Sequence, residues 1–355
     1  MNYELTSLSA EEVCQWDQLI APFRNRYLFH QKAWLEYVGA CQNAEIRFWS
    51  IREGCRTVGY FPGGIIRKGP YRILGSPLKG WCTNFMGPIF LDGFEHDAFL
   101  RALNELAKRE QFAMVEIEQP ALHEQAFVTH GFEPVSCHNI VVRLEPHQPG
   151  KMWERLDSKV RTKVRKAKRS GLKAELTADP GIAEVYYEQF SMRLIEKKYS
   201  PPYGLRNAQL LCEHLMPRDL ILAICVRDPQ GQIVATALYP HDEETLYGWG
   251  RSSRSDAWKF AANEYVQWTA MELAASRGLK FYNMGSYGRF FGKFGGNLQD
   301  VVRWHKFYSK TARLARSGYE VFHRKQIRLR GWWKNVIGED AAPQRILLPA
   351  PRVKE

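Results

Sequence analysis

The chain has 355 residues, of which 45% are hydrophobic and 13% aromatic, enough to bury a sizeable core. This composition excludes an intrinsically disordered chain, and the length predicts two domains of ordinary size. A net charge of +12 favours anionic partners such as phosphates, nucleic acid or anionic lipid.

Cysteine usage and hydropathy exclude further classes of protein. The seven cysteines are scattered and form no C-x-x-C pair, which predicts neither a disulfide framework nor a zinc site and favours a reducing cytosol. The first residues lack an apolar segment, so no signal peptide is predicted. The longest aliphatic run, residues 220–226, suits a buried strand and is too short to span a bilayer. We therefore expect a cytoplasmic protein without a structural metal.

The first half of the chain alternates helical and strand patterns. Ser9 with Glu12 three residues later forms a capping box that predicts a helix over "SAEEVCQWDQLI". Two strand-like runs joined at Glu53-Gly54 predict a hairpin. The remaining patterns predict a helix over 96–112, a strand over 113–119, a short helix ended by Gly131 and a strand over 137–144.

The second half follows the polar segment "EPHQPG" and repeats a similar order. The patterns predict a helix over 186–199, a strand-turn-strand unit over 220–240, a strand over 245–252, a helix over 263–278 with Gly278 near its end, and a strand over 280–285. The predicted fold is α+β: two tandem units, each a mixed sheet flanked by helices. The predicted boundaries are 1–147, 148–320 and a basic, aromatic C-terminal tail, 321–355.

A single basic helix is predicted from about residue 151 to Gly171. Residues 151–173 hold ten Lys or Arg and only two acids. The apolar residues of this segment fall on one helical face: Trp153, Leu156, Val160, Val164 and Ala167. Two interpretations remain open, a solvated helix face and a surface that binds a polyanion.

Three segments of the second half resemble a known enzyme family. They are "MWERLDSKVRTKVRKAKRSGLKAEL", "KFAANEYVQWTAMELAASRGLKFYNMGS" and "FFGKFGGNLQDVVRW". In order and spacing they resemble the FemA/FemB/FemX peptidoglycan aminoacyltransferases and their BioF2-like and CelD-like relatives in the GNAT superfamily. The resemblance implies two tandem GNAT-like domains and an acyl- or aminoacyltransferase of cell-envelope or exopolysaccharide biosynthesis. It implies no tightly bound cofactor.

The resemblance also suggests residues for the chemistry. Lys293 matches the family's lysine and would stabilise developing negative charge or hold a donor phosphate. Gly292 and Gly295 would let the backbone approach a ligand closely. Arg161 and Arg165 match the regular basic positions of the helix motif and would hold phosphate as bidentate forks.

Four further residues complete the predicted site. Tyr247, a second catalytic candidate, and Arg251 are expected to line the cleft. Asn263 matches the family's asparagine, with capping of the following helix as the alternative. Asn283 stands where the family usually has an aspartate, and asparagine can hydrogen-bond but cannot take a proton.

Two departures from the pattern leave the donor open. The Gly-rich pyrophosphate loop of GNAT enzymes is missing from residues 250–263, and residues 172–281 lack the heptads of the coiled-coil arm found in several Fem enzymes. The donor is therefore either an acyl thioester such as acyl-CoA or an aminoacyl-tRNA. The acceptor is expected to be a saccharide or lipid-linked compound that carries phosphate.

Other functions remain as alternatives. The positive charge and the basic helix also suit a non-catalytic module that binds RNA or DNA, although no nucleic-acid motif is present and we expect no DNA partner. Asn283 leaves open a scaffold that has lost activity. The segment 307–338 interleaves basic and aromatic residues, so it suits either a helix packed on the second domain or a peripheral contact with an anionic membrane at the inner face.

Overall fold

The computed structural model describes residues 2–146, 148–286, 288 and 290–318. The strands in this range are β1 Glu4–Ser7, β2 Glu45–Glu53, β3 Arg56–Lys68, β4 Tyr71–Ser76, β5 Ile89–Phe90, β6 Phe112–Ile117, β7 Glu133–Arg143, β8 Lys173–Leu176, β9 Ile221–Arg227, β10 Ile233–Pro240, β11 Thr245–Tyr247, β12 Gly250–Ser253, β13 Phe281–Ser286 and β14 Asn297–Phe307. The helices are α1 Ala10–Cys14, α2 Trp16–Ile20, α3 Lys32–Gln42, α4 His96–Arg109, α5 Glu124–Thr129, α6 Pro149–Arg155, α7 Ser158–Arg169, α8 Ile182–Glu196, α9 Leu205–Leu215 and α10 Ala262–Ser276. Short 3-10 helices cover Leu28–His30, Met216–Arg218, Ser255–Phe260 and Phe291–Phe294.

The described strands form two mixed or antiparallel sheets. The larger has the order β1-β2-β3-β4-β6-β14-β7-β13-β11, with β5 beside β3, and the smaller has the order β12-β10-β9-β8. The pairs β4–β6 and β11–β13 are parallel, whereas the smaller sheet is antiparallel throughout. Sheets flanked by helices confirm the predicted α+β class.

The larger sheet draws strands from both halves of the chain. Strand β7, from the first half, lies between β14 and β13 of the second half. Residues 1–306 form one compact unit, and a second unit, 307–355, is described only as far as residue 318, with helical residues from 310. The division at residues 147 and 148 remains a prediction, and the predicted tail 321–355 lies outside the described residues.

Several local predictions are confirmed. Ser9 Oγ accepts the Glu12 N–H at 3.2 Å while Glu12 Oε2 accepts the Ser9 N–H at 2.8 Å, which is the predicted capping box. The predicted hairpin is β2–β3, and the predicted helices over 96–112 and 263–278 are α4 and α10.

The single basic helix predicted over 151–171 is wrong. It is two helices, because Leu156 leaves the helical conformation and Asp157 begins a new helix, its Oδ1 accepting the Lys159 N–H at 2.7 Å. The predicted apolar face is nevertheless buried, since Leu156, Val160 and Val164 all lie in the core. Periodicity continues through the break and therefore does not reveal it.

The core of the second half lies between the smaller sheet and helices α7 and α10. Its members include Val160, Val164, Ala167, Leu222, Ile224, Ala237, Val266, Ala270 and Phe294. No helix among the described residues is long and apolar enough to cross a membrane.

Candidate active site

The two sheets diverge between β11, the last strand of the larger sheet, and β12, the first strand of the smaller one. Tyr247 in β11 pairs in parallel with Asn283 of β13, whereas Arg251 in β12 pairs with Ala237 of β10. The single strand predicted over 245–252 is therefore wrong, because the chain leaves one sheet and joins the other at Gly248 and Trp249. Such a separation opens a gap between neighbouring strands in which a ligand can lie.

A glycine is required at this point of separation. The Gly248 N–H donates to the Asn283 carbonyl at 2.8 Å, and a Cβ at Gly248 would lie 2.9 Å from the Met284 carbonyl oxygen. Asn283 itself is buried, and its Oδ1 accepts the Gly285 N–H at 3.0 Å. Asn283 thus holds the shape of the gap through its backbone and its amide oxygen.

The segment 290–296, which carries Lys293, is hydrogen-bonded to the junction of α6 and α7. The Asp157 N–H donates to the Lys293 carbonyl at 3.0 Å. Gly295 has a φ of +78°, and a Cβ there would lie 2.9 Å from the Arg155 carbonyl oxygen. Phe294 is buried, while the Lys293 side chain is exposed. The backbone at Lys293 is therefore held in place while its amine faces solvent.

Arg251 contacts the same segment. Its Cζ lies 4.5 Å from the ring centroids of both Phe290 and Phe291, and these rings are perpendicular to each other. Cation–π contacts of this kind hold a guanidinium in place without neutralising it. Arg251 is thus brought beside the short helix that carries Lys293.

Helices α7 and α10 direct their N-termini toward one end of the site. Lys163 Nζ lies 2.7 Å from Glu264 Oε1, and further along both helices burial raises the pKa of Glu272 while the Lys168 charge partly offsets this. Because the two pairs occur in the same order, the helices run parallel. Asp157, at the start of α7, is also the residue that holds the Lys293 carbonyl. The N-terminus of α7 therefore lies beside the Lys293 backbone, and the amide groups at a helix N-terminus favour negative charge.

Three cations of α7 already have partners within the chain. Arg161 Nη1 donates to the carbonyls of Glu154 and Leu156 at 2.8 Å each, so it caps the end of α6. Arg165 lies over the Trp153 ring with its Cζ 5.3 Å from the centroid, and Lys163 is paired with Glu264. Part of the basic stretch thus stabilises the α6–α7–α10 packing. Phosphate binding by Arg161 and Arg165 remains a prediction.

Unpaired polar atoms lie where α10 begins. Ala261, in the left-handed conformation, precedes the helix and supplies no side-chain cap. Asn263 does not cap it either, because its Oδ1 is buried without a hydrogen-bond partner among the described residues. The hydroxyls of Ser252 and Ser253 in β12 are likewise buried and unpartnered within that range. These atoms are therefore buried polar groups without a partner among the described residues, at the start of α10 and along β12.

Tyr247 is held by a buried carboxylate. Its hydroxyl donates to Asp242 Oδ2 at 2.8 Å, and the same oxygen accepts the Leu28 N–H at 3.0 Å. Burial, followed by the Asp242 charge, raises the pKa of Tyr247 well above its usual range. The phenol therefore stays protonated at neutral pH, and its catalytic role remains a prediction.

A buried hydrogen-bonded chain beside Arg251 was missed by sequence reasoning. Tyr239 donates to Gln267 Oε1 at 2.7 Å, and Gln267 Nε2 donates to the Tyr282 hydroxyl at 2.5 Å. Burial raises the pKa of Tyr239, and the Arg251 charge partly offsets this. The three side chains come from β10, α10 and β13, so no local motif could have indicated them.

Trp249, at the point where the two sheets separate, belongs to an aromatic cluster. It consists of Tyr186, Phe190, Tyr203 and Trp249, with the Tyr186 and Tyr203 hydroxyls 2.6 Å apart. Burial raises the pKa of Tyr203 to about 12. No sequence signal connected these residues, because α8 and the strand separation are more than 40 residues apart along the chain.

Part of the chain matches a known protein family. Residues 155–292 match the acetyltransferase (GNAT) domain family. That range contains seven of the nine predicted site residues and ends just before Lys293. No protein of curated function matches the chain in sequence.

Three solved structures share the fold at low sequence identity. FemX is 12% identical with a TM-score of 0.70, and the match covers 88% of this chain and 99% of FemX. A tandem GNAT protein from the clavulanic acid biosynthesis pathway is 13% identical with a TM-score of 0.51, covering 86% of this chain and 98% of that one. The L-PGS of Bacillus licheniformis is 10% identical with a TM-score of 0.52, covering 83% and 91%. Residues 155–292 therefore carry an acetyltransferase (GNAT) domain, and the chain has a fold similar to that of FemX, as its motifs predicted.

Proposed function

We propose that this protein transfers an acyl or aminoacyl group from a phosphate-bearing donor to an amine or hydroxyl acceptor in cell-envelope or exopolysaccharide biosynthesis. The observation that carries the proposal is the separation of β11 from β12 beside the segment that holds Lys293 against the α7 N-terminus. The likeness to FemX and to L-PGS supports an acceptor of the cell envelope. The proposal places the reaction in the cytoplasm.

The donor is assigned to the gap between the sheets. Its phosphates would lie near the α7 N-terminus, with Lys293 and Arg251 among the side-chain cations around it. The Asn263 amide oxygen and the Ser252 and Ser253 hydroxyls would meet the polar groups of the donor arm. An acyl-CoA is our first choice of donor because its pantetheine arm carries several polar groups along its length. An aminoacyl-tRNA is the second choice.

The transfer reaction needs few groups from the protein. The acceptor nitrogen or oxygen attacks the donor carbonyl, a C–N or C–O bond forms, and the C–S bond of the thioester breaks. The acceptor's proton passes to the departing thiolate, directly or through water. Lys293 would stabilise the tetrahedral oxyanion or the donor phosphate. Arg251, held between two rings, would keep the neighbouring tyrosine hydroxyls oriented.

The test measures free thiol released from a panel of acyl-CoA donors with saccharide amines as acceptors. Replacing Lys293 by alanine is expected to lower kcat about 100-fold if the amine stabilises the oxyanion, the usual loss for one such donor. A rise in KM alone would instead assign Lys293 to the donor phosphate. The matched control is Lys108→Ala on α4, an exposed lysine of the first half, which should leave turnover unchanged.

Two results would change the proposal. Transfer from charged tRNA with no thiol released from any acyl-CoA would replace the donor and keep the reaction. Binding to duplex DNA with no transfer from either donor would replace the transferase by a nucleic-acid-binding module.

A further inference from the structure

Exposed apolar side chains gather at the C-terminal end of α8 and on the short helix Ser255–Phe260. The exposed fractions are 55% for Met192, 57% for Ile195, 66% for Tyr199 and 46% for Trp258. The two segments are in contact, because Ser255 Oγ donates to Glu196 Oε1 at 2.9 Å and Arg193 lies 5.4 Å from the Trp258 ring centroid. We call Met192, Ile195, Tyr199 and Trp258 the α8 patch.

The patch does not arise from incomplete packing of the buried face of α8. That face carries Ile182, Tyr186 and Gln189. Met192 and Ile195 are spaced i and i+3 and lie on a different side of the helix, and Tyr199 follows just after the helix end. A helix side that faces only water normally carries polar residues, so a group of large exposed apolar side chains indicates a surface that is covered in use.

Basic residues border the patch. Lys197, Lys198 and Lys259 are exposed beside it. The α8 helix ends with the Tyr199 N–H donating to the Leu194 carbonyl at 2.8 Å, and Lys198 has a φ of +61°. Glycine is the preferred residue at this position of a helix end, yet the chain places a lysine there despite the strain. The three lysines give the border of the patch its positive charge.

We propose that the α8 patch docks the protein on an anionic bilayer surface. Tyr199 and Trp258 suit the headgroup region, Met192 and Ile195 the boundary with the acyl chains, and the neighbouring lysines the lipid phosphates. A protein partner fits less well, because lysine is depleted in protein interfaces whereas an excess of cations draws a chain of net charge +12 to anionic lipid. This docking does not depend on the proposed transferase function.

Docking at this surface would have one consequence that rests on the proposed function. Phe190 of the aromatic cluster lies on α8 two residues before Met192, and the segment after Tyr199 leads directly to Tyr203. A bilayer at the α8 patch would thus bring an acceptor held in the membrane close to the separated strands.

The experiment is flotation of the full chain with vesicles of phosphatidylcholine alone or mixed with phosphatidylglycerol. The wild type should float with the anionic vesicles and not with the neutral ones. The variant Ile195→Ser with Tyr199→Ser should bind at least about tenfold more weakly, since two apolar side chains leave the bilayer. The matched control, Val128→Ser on α5, removes an apolar side chain that is 54% exposed elsewhere and should bind like the wild type.

A second variant separates binding from folding. Lys198→Gly relieves the positive φ, so its Tm should rise, while its binding to anionic vesicles should fall about fivefold through loss of one charge. Failure of the wild type to float would overturn the proposal, as would equal flotation of the Ile195→Ser, Tyr199→Ser variant. A change in oligomeric state in that variant, without a change in flotation, would assign the patch to a protein partner instead. Thiol release to a soluble acceptor reports separately on the transferase.

Discussion

The two glycines around Lys293 make a matched test of what this segment is for. Alanine at Gly295 must adopt a φ near +78°, which costs about 1–2 kcal/mol for a residue with a Cβ. Its Cβ would also meet the Arg155 carbonyl oxygen at 2.9 Å, and the shift needed to relieve such overpacking costs about 1–3 kcal/mol. At Gly292 nothing lies within 4 Å of an added Cβ. We expect a loss of about 2–4 kcal/mol for Gly295→Ala and a change within about 0.5 kcal/mol for Gly292→Ala.

Denaturant titration followed by tryptophan fluorescence measures both variants, with thiol release as the second readout. Gly295→Ala should unfold at a lower midpoint and lose turnover, because the Lys293 backbone is no longer held against the α6–α7 junction. Equal stability of the two variants would refute the anchoring argument. Loss of turnover in both at unchanged stability would instead support the close approach to a ligand that the motif predicts.

The remaining predictions concern three buried or capping groups. Burial lowers the pKa of His30 to about 4 from 6.5, so the unfolded chain binds the extra proton first and stability falls by up to about 3 kcal/mol as the pH drops from about 6.5 to about 4. Denaturation at several pH values should show this slope in the wild type and lose it in His30→Gln, and equal slopes would contradict the assignment. Tyr247→Phe removes the hydrogen bond to Asp242 and should lower the free energy of unfolding by about 1–3 kcal/mol, measured by thermal denaturation. Unchanged stability would leave the phenol with a purely catalytic role. Asp157→Ala should destabilise the protein by about 1 kcal/mol, and Asp157→Asn, which can still accept the Lys159 N–H, should restore most of it; equal losses would exclude the cap.

Local features were predictable because neighbouring residues decide them. The capping box of Ser9 and Glu12 uses atoms three residues apart, and the hairpin at Glu53-Gly54 uses a turn between two adjacent strands. Positional signals such as these depend little on the rest of the chain. The same holds for α10 and its end near Gly278.

Predictions failed where one periodic pattern covers two elements. Residues 151–171 keep a helical spacing across the break because Leu156 stays buried on the same side as Val160. Asp157 is a capping residue, but the apolar period that runs through it hides this signal. In "TLYGWGRS" nothing local distinguishes one strand from two, since the change of partner is made by β13 on one side and β10 on the other.

The sequence by itself determined the α+β class and the likeness to the GNAT acyltransferase domain, because motifs and hydrophobic periods are properties of short stretches of chain. Only the tertiary structure decided what each side chain does there. It turned Arg161 into a cap for α6, tied Tyr247 to Asp242, and joined Tyr239 to Tyr282 through Gln267. These partners lie in different elements, and close packing of the core and of the two sheets, which no local pattern encodes, brings them within hydrogen-bond distance.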